Sequence, residues 1–285
     1  MIYSMTGFGK SILQLPNKKI TIEIKSLNSK NLDLNTRIPS QYREKELMLR
    51  NTVAKSLVRG KIDFSIYIES TGEETSTQIN ADLVRNYIRQ LRNIVDGDET
   101  ELLKMAVRMP DVLKTQKEGI EEQEFSEIEK AVEEALIEIN EFRKSEGQAL
   151  KEDLEIRAEI IKRLLNEIIV MDPDRISGVR ERLVKGISEI KESVDENRFE
   201  QELVYYIEKF DITEEKVRLE KHLSYFDETM KSEGHNGKKL AFISQEIGRE
   251  INTIGSKSNY AAMQQLVVQM KDELEKIKEQ LLNVL

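Results

Sequence analysis

FSEIEKAVEEALIEINEFRKSEGQALKEDLEIRAEIIKRLLNEIIVM, Phe125 to Met171, is the stretch on which the architecture turns. Its apolar residues keep the three-and-four spacing of one helical stripe, with Gly147 as the only glycine inside it. That spacing predicts one long helix, or two joined at Gly147. Met171-Asp172-Pro173 is expected to end it, because a proline disfavours helix in the residue before it. A single helix of that length has too few neighbours to cover its apolar stripe, so a homo-oligomer is expected.

Downstream the same period continues, predicting helices over Pro173–Val194, Arg198–Phe210, Thr213–Lys231, Lys238–Ile254 and Asn259–Asn283. Upstream the period changes to two. Ile20, Ile22 and Ile24 alternate with polar residues, as do Leu32 and Leu34 before Ile38, and Ile62, Phe64, Ile66 and Ile68. Pro39 is expected to open a helix running to Leu57, with another over Ala81–Val95. The fold class is therefore α+β: a mixed strand and helix domain over residues 1–120, then a predominantly helical part with long helices over 121–285.

Charged residues make up 34% of the chain and the net charge is −9, which argues against whole-surface attraction to nucleic acid or acidic lipid. The charge is unevenly placed. Residues 1–70 carry twelve Lys or Arg against six Asp or Glu, so a basic N-terminal part precedes an acidic helical body and could attract an RNA backbone locally. With no cysteine, disulfides and thiolate metal sites are excluded, and a metal would have to use oxygen or the two histidines. Oxygen ligands point to Mg2+ or Mn2+. No apolar run approaches the length of a membrane span and MIYSMTGFGK lacks the pattern of a signal peptide, so no membrane partner and a cytoplasmic location are expected.

The densest chemistry lies in GKKLAFISQEIGREINTIGSKSN, Gly237 to Asn259. Leu240, Ile243, Ile247, Ile251 and Ile254 form a buried stripe, whereas Phe242, Glu246, Arg249, Glu250 and Thr253 fall on another face. Glu246 and Glu250 sit four apart, where like charges repel by roughly 0.2–0.5 kcal/mol, and a cation between them would relieve that. Lys238 and Lys239 occupy a first turn whose dipole already favours anions. Gly255, Ser256, Lys257 and Ser258 read as a hydroxyl-rich turn or a plain glycine cap. Together these features suggest a divalent cation and a phosphodiester.

Other residues are more ordinary. Asp211 and Glu214 have capping-box spacing. Glu214, Arg218 and His222 recur at fourth positions along the polar side of the next helix, where His222 could move a proton or hold a phosphate, or be a structural histidine. Phe8, beside Gly7 and Gly9, offers a ring for base stacking. Lys30, Arg59 and Lys61 place cations at strand entries and turns, where contact with phosphate is easy and turn chemistry is the plainer explanation.

With these residues in view, the chain resembles the YicC-like (YicC/YloC) family of endoribonucleases. SMTGFG at Ser4–Gly9, EIKSLNSKNLDLNTRIP at Glu23–Pro39, RGKIDFSI at Arg59–Ile66 and RMPDVL at Arg108–Leu113 carry the likeness in the N-terminal half. The spacing of Arg143, Glu146, Gly147, Leu150 and Asp153 follows, then DITEEKVRLEKHLSYF at Asp211–Phe226 and GKKLAFISQEIGREINTIGSKS at Gly237–Ser258. The resemblance implies a divalent-metal-dependent endoribonuclease, assembled as a homohexamer around a cavity that clamps RNA. It also implies Glu246 and Glu250 as metal-handling carboxylates and Arg249 as the cation facing the phosphate, with His222 and Arg218 nearby. Two positions depart from the pattern: Ala241 stands where the family commonly has aspartate, and Asn28-Ser-Lys30 replaces a frequent Asn-His-Arg.

The functional expectation is metal-assisted cleavage of single-stranded RNA. Glu246, Glu250, Arg249 and His222 are its catalytic candidates; Lys238, Lys239, Lys257, Arg218, Phe8, Lys30, Arg59 and Lys61 are its RNA contacts. A metal-free route through the RNA 2′-OH, with His222 as base, is a variant within the same class. The rival from another class is a non-catalytic RNA-binding scaffold or adaptor for RNA turnover. A helical assembly with no affinity for RNA is the third reading.

Overall fold

Alternating isoleucines make β2, Lys18–Leu27, a one-sided strand. Ile20, Ile22 and Ile24 are buried and lie opposite Ile68, Ile66 and Phe64 of the antiparallel β4, Gly60–Ser70. β1, Gly7–Gln14, pairs antiparallel with β2, and β3, Leu32–Arg37, runs parallel to β4, giving a sheet of order β1-β2-β4-β3. The computed structural model describes residues 2–70, 77–115, 122–189 and 196–285.

The helix expected from Pro39 is a 3-10 turn, Ser40–Lys45, followed by α1, Glu46–Leu57. Beyond the sheet, β5 (Thr77–Ile79), α2 (Ala81–Arg92), α3 (Glu99–Ala106) and β6 (Leu113–Thr115) form a satellite around Val84, Ala106 and Val112. The Asn80 side chain caps α2 by accepting from the Leu83 N–H.

One helix ties everything together. α4 runs Glu122–Glu189, 68 residues, or about 100 Å at 1.5 Å per residue. Its first part packs Phe125, Ile128, Val132, Ala135, Leu136 and Ile139 against the sheet isoleucines. Further on, Leu154, Ile161, Leu165 and Ile168 pack against α6 (Thr213–Lys231), α7 (Gly237–Lys257) and α8 (Ala261–Leu281). α4 is thus shared by the sheet half and the helical half.

The expected end at Pro173 is wrong: α4 continues through it to Glu189. Proline removes one rung of the ladder, at a cost of about 3 kcal/mol, and tertiary contacts override that local preference. Arg175 is buried and donates to Asp172 Oδ1 at 2.8 Å and to the Phe210 carbonyl at 2.8 Å, while Lys216 Nζ reaches Asp172 Oδ2 at 2.6 Å. This knot joins α4, the end of α5 (Glu196–Phe210) and α6. The helix expected over Pro173–Val194 is therefore α4 itself as far as Glu189, and residues 190–194 of that expectation lie outside the described residues.

The segment SMTGFG is a joint between strand and helix. A Cβ on Gly9 would lie 2.1 Å from the Ala135 carbonyl oxygen, and one on Gly7 2.9 Å from Ile139 Cγ1, so bare glycines let β1 lie directly on α4. Thr6 Oγ1 donates to Glu146 Oε2 at 2.6 Å, and the Ile2 carbonyl approaches so close that a Cβ on Gly147 would meet it at 2.2 Å. Arg143, 1% exposed, has no carboxylate partner among the described residues. Instead it donates to the Met5, Leu57 and Arg59 carbonyls at 3.2 Å and to Ser26 Oγ at 2.6 Å, and burial lowers its pKa to about 10.

Candidate active site

α6 and α7 form an antiparallel hairpin because each carries one apolar stripe and one polar one. Leu219, Leu223, Phe226 and Met230 meet Leu240, Ile243, Ile247, Ile251 and Ile254 in the core, which turns Glu214, Arg218 and His222 toward the polar side of α7. The connection is held by Asn236, whose Nδ2 donates to the Thr229 carbonyl at 3.3 Å and to Ser232 Oγ at 3.0 Å.

Glu250 is the centre of this arrangement. It is only 8% exposed and makes no hydrogen bond or ion pair among the described residues. Burial pushes its pKa up; the positive charges of Arg218 and His222 pull it back, and Glu215 and Glu214 add to the rise. A carboxylate so placed costs free energy unless a cation comes to it.

Glu215 is the residue that periodicity alone missed. It is 7% exposed; its Oε1 accepts from Lys257 Nζ at 2.7 Å, while its Oε2 is buried with no partner. Its neighbourhood in the chain misleads. The expected capping box is absent: Ile212 occupies the N-cap, Asp211 Oδ1 accepts from the Thr213 N–H at 3.0 Å, and Glu214 pairs with Arg218 instead of reaching back. Acid-rich starts of helices usually serve the dipole, and nothing local separates Glu215 from its neighbours.

The remaining candidates on α7 divide in two. Glu246 accepts from Arg249 at 2.8 Å, and Arg249 itself is exposed. Lys238 and Lys239 are exposed without a carboxylate partner among the described residues, and Lys239 Nζ lies 4.6 Å from the centre of the Tyr225 ring. Lys257 is tied down. Its ammonium donates to the Asp211 carbonyl at 3.0 Å as well as to Glu215, and its own carbonyl accepts from Arg175 at 3.4 Å. The turn expected at Gly255–Ser258 is corrected: α7 stays helical through Lys257. Gly255 serves close packing rather than a cap, since a Cβ there would stand 3.0 Å from Val267 Cγ1 of α8.

The other expected RNA contacts lie on the sheet half. Phe8 is on the open face of β1 with Lys25 Nζ 5.5 Å from its ring, Lys30 is exposed between β2 and β3, Arg59 Nε donates to the Ser29 carbonyl at 2.9 Å, and Lys61 is exposed on β4. These residues do not join the α6–α7 cluster. The α4 residues that carry the two cores, Ile139 and Leu154, are separated by about 20 Å of helix.

Among the described residues no group of three or more His, Asp or Glu side chains is gathered closely enough to hold a metal. Magnesium-type ions need only one or two carboxylates, the rest of the shell being water and phosphate. The unpartnered Glu250 and the orphaned Glu215 Oε2 fit that kind of ion. No helix among the described residues is long and apolar enough to cross a membrane.

Comparison with known proteins adds an independent line. Residues 2–152 match the family model described as "Endoribonuclease YicC-like, N-terminal region", and residues 168–285 match "Endoribonuclease YicC-like, C-terminal". The chain is 36% identical over 293 residues to "Probable endoribonuclease YicC" of Clostridioides difficile (strain 630), with 100% of both chains covered. It is 30% identical over 287 residues to the protein of the same description from Haemophilus influenzae (strain ATCC 51907 / DSM 11121 / KW20 / Rd), again with 100% of both covered.

Proposed function

Since the chain belongs to the YicC-like endoribonuclease family, we propose that it cuts single-stranded RNA internally with the help of Mg2+ or Mn2+, at the polar side of the α6–α7 hairpin. The observation that carries this reading is Glu250, a carboxylate buried on a rigid helix with no partner of its own.

Glu250 would hold the ion, with Glu246 one turn away on α7 and Glu215 across from it on α6. Such an ion, when bound, neutralises charge on the phosphate and makes a bound water more acidic. The side chains do the rest. Arg218 and Arg249, now turned to Glu214 and Glu246, are free to swing onto a phosphate because both are largely exposed. Lys238 and Lys239 attract the strand and set its direction. His222 stands beside Glu250 and donates a proton to the ribose oxygen as its bond to phosphorus breaks. A water oxygen forms the new bond to phosphorus and releases its proton to solvent, which restores the proton His222 gave up, so the products end in a phosphate and a free hydroxyl.

Homo-oligomeric assembly belongs to the same reading. Support comes from exposed apolar residues along the helices, among them Ile156, Val170 and Tyr205.

The test uses an end-labelled single-stranded RNA, purified protein, and either Mn2+ or EDTA, with the ends of the products identified. Internal cuts with Mn2+ and none in EDTA are expected. Cuts that persist in EDTA and leave 2′,3′-cyclic phosphates would replace the metal route by attack of the RNA's own 2′-OH. RNA that is bound but never cut, under conditions where a known metal nuclease cuts it, would make the protein a scaffold.

A further inference from the structure

Two aromatic rings stand in solvent at the edge of the candidate site. Phe242 is 61% exposed and Tyr225 is 45% exposed, each on a well-formed helix. Phe242 precedes Glu246 by one turn and Glu250 by two, so the ring lies about 6 and 12 Å along the axis from those carboxylates. Tyr225 follows His222 by three residues on α6 and carries Lys239 against its ring. Lys238 and Lys239, four and three residues before Phe242 on the same helix, have no carboxylate partner among the described residues.

A single exposed ring is unremarkable on a protein surface. Here two rings and two uncompensated ammonium groups border a phosphate-handling site. Proteins that grip single strands combine these same parts: cations that follow the backbone and rings on which unpaired bases stack. A duplex hides its base faces, so a stacking ring beside the reacting phosphate rewards only an unstacked strand. The charge favours nucleic acid over an apolar protein partner, since Lys238 and Lys239 would be desolvated without compensation under a purely apolar face.

We propose that Phe242, assisted by Tyr225 and Lys239, is the platform on which one base of the RNA stacks next to the phosphate handled at Glu250, and that this contact makes the site select single-stranded RNA. The proposal rests on the endoribonuclease reading and names the residue that sets its substrate class. Phe242 is a positioning residue: it fixes the strand, and the carboxylates act on it.

The experiment measures binding, in EDTA so that no metal-assisted cut occurs, of a 2′-O-methyl oligonucleotide, which also resists attack by its own 2′ group, carrying 2-aminopurine in a single-stranded stretch. Wild type, Phe242→Ala, Phe242→Leu and Phe242→Trp are compared, each checked for assembly mass by light scattering. Wild type is expected to quench the 2-aminopurine on binding. Phe242→Ala and Phe242→Leu should bind about 5- to 100-fold more weakly and lose the quench, while Phe242→Trp retains both. Unchanged affinity and quenching in Phe242→Ala, or Phe242→Leu as tight as Phe242→Trp, would overturn the proposal. So would a fall in assembly mass on Phe242→Ala, because the ring would then be covered by a second copy of the chain. The two readings fail separately: a wild type that cuts RNA while Phe242→Ala binds equally well removes the stacking platform alone, and a wild type that neither binds nor cuts removes both.

Discussion

Gly9→Ala tests the joint on which the whole chain is built. The added methyl would sit 2.1 Å from the Ala135 carbonyl oxygen, 2.9 Å from the Ile139 amide nitrogen and 3.0 Å from Ile139 Cβ. A carbon and a carbonyl oxygen approach no closer than about 3.3 Å, so roughly 1.2 Å of overlap must be relieved. Neither side can yield cheaply. The obstacles are backbone atoms of α4, and β1 is held to β2 from Gly7 through Gln14. The cost therefore falls at the upper end of overpacking, about 3 kcal/mol. Unfolding entropy for a chain of this length is about 0.6 kcal/mol/K, which converts that cost into a melting point lowered by about 5 °C. Gly178→Ala is the comparison, because Gly178 lies on α4 itself but nothing stands within 4 Å of where its Cβ would be. There the change should raise the melting point by 1–2 °C, reflecting about 0.5–1 kcal/mol of helix propensity. Thermal melts followed by far-UV circular dichroism read both. If Gly9→Ala melts at or above wild type, β1 does not lie on α4 as described.

Three further outcomes follow from the same geometry. Arg143→Met leaves the carbonyls of Met5, Leu57 and Arg59 without their shared donor and should lower stability by about 3 kcal/mol in urea unfolding; a loss below about 1 kcal/mol would mean that the guanidinium is dispensable. Glu250, whose pKa is raised in the folded state, favours folding at low pH and loses that contribution as pH rises through its folded value, so in EDTA Glu250→Gln should be more stable than wild type at pH 8 and lose the advantage by about pH 4. A wild type that outlasts the variant at pH 8 would contradict the burial argument. Finally, millimolar Mn2+ should raise the melting point of wild type and leave Glu250→Gln unmoved, with Glu215→Gln responding weakly; equal shifts in all three would place the ion elsewhere.

Much of the fold is legible from periodicity, and its failures have physical causes. β2, β3 and β4 show their alternation openly, and the bounds of α6 match the expected Thr213–Lys231. β1 hides because Gly7 and Gly9 leave gaps in its apolar alternation, being small in order to let a strand touch a helix. Pro173 misleads for the opposite reason: a local rule yields to the Asp172–Arg175 pair, which is held by Lys216 and the Phe210 carbonyl, both distant in sequence. The same limit applies to the site. Helical spacing puts Glu246 and Glu250 on one helix, and the resemblance to a family draws attention to α6. Neither shows that Glu215 faces the same space with an orphaned oxygen, because that depends on how two helices pack. Several residues of the family signature, in turn, have structural work: Thr6 bonds Glu146, Met5 bonds Arg143, and Gly147 makes room for Ile2.

The most direct test of the central claim is single-turnover cleavage of one single-stranded RNA in Mn2+ by wild type and by Glu250→Gln, with fold and assembly mass verified for both. A site organised around Glu250 predicts that the variant still binds the RNA while its cleavage rate falls by at least a hundredfold, about 2.7 kcal/mol of transition-state stabilisation. Cleavage by the folded variant within threefold of wild type would contradict it, and the catalytic centre would have to be sought away from the α6–α7 hairpin.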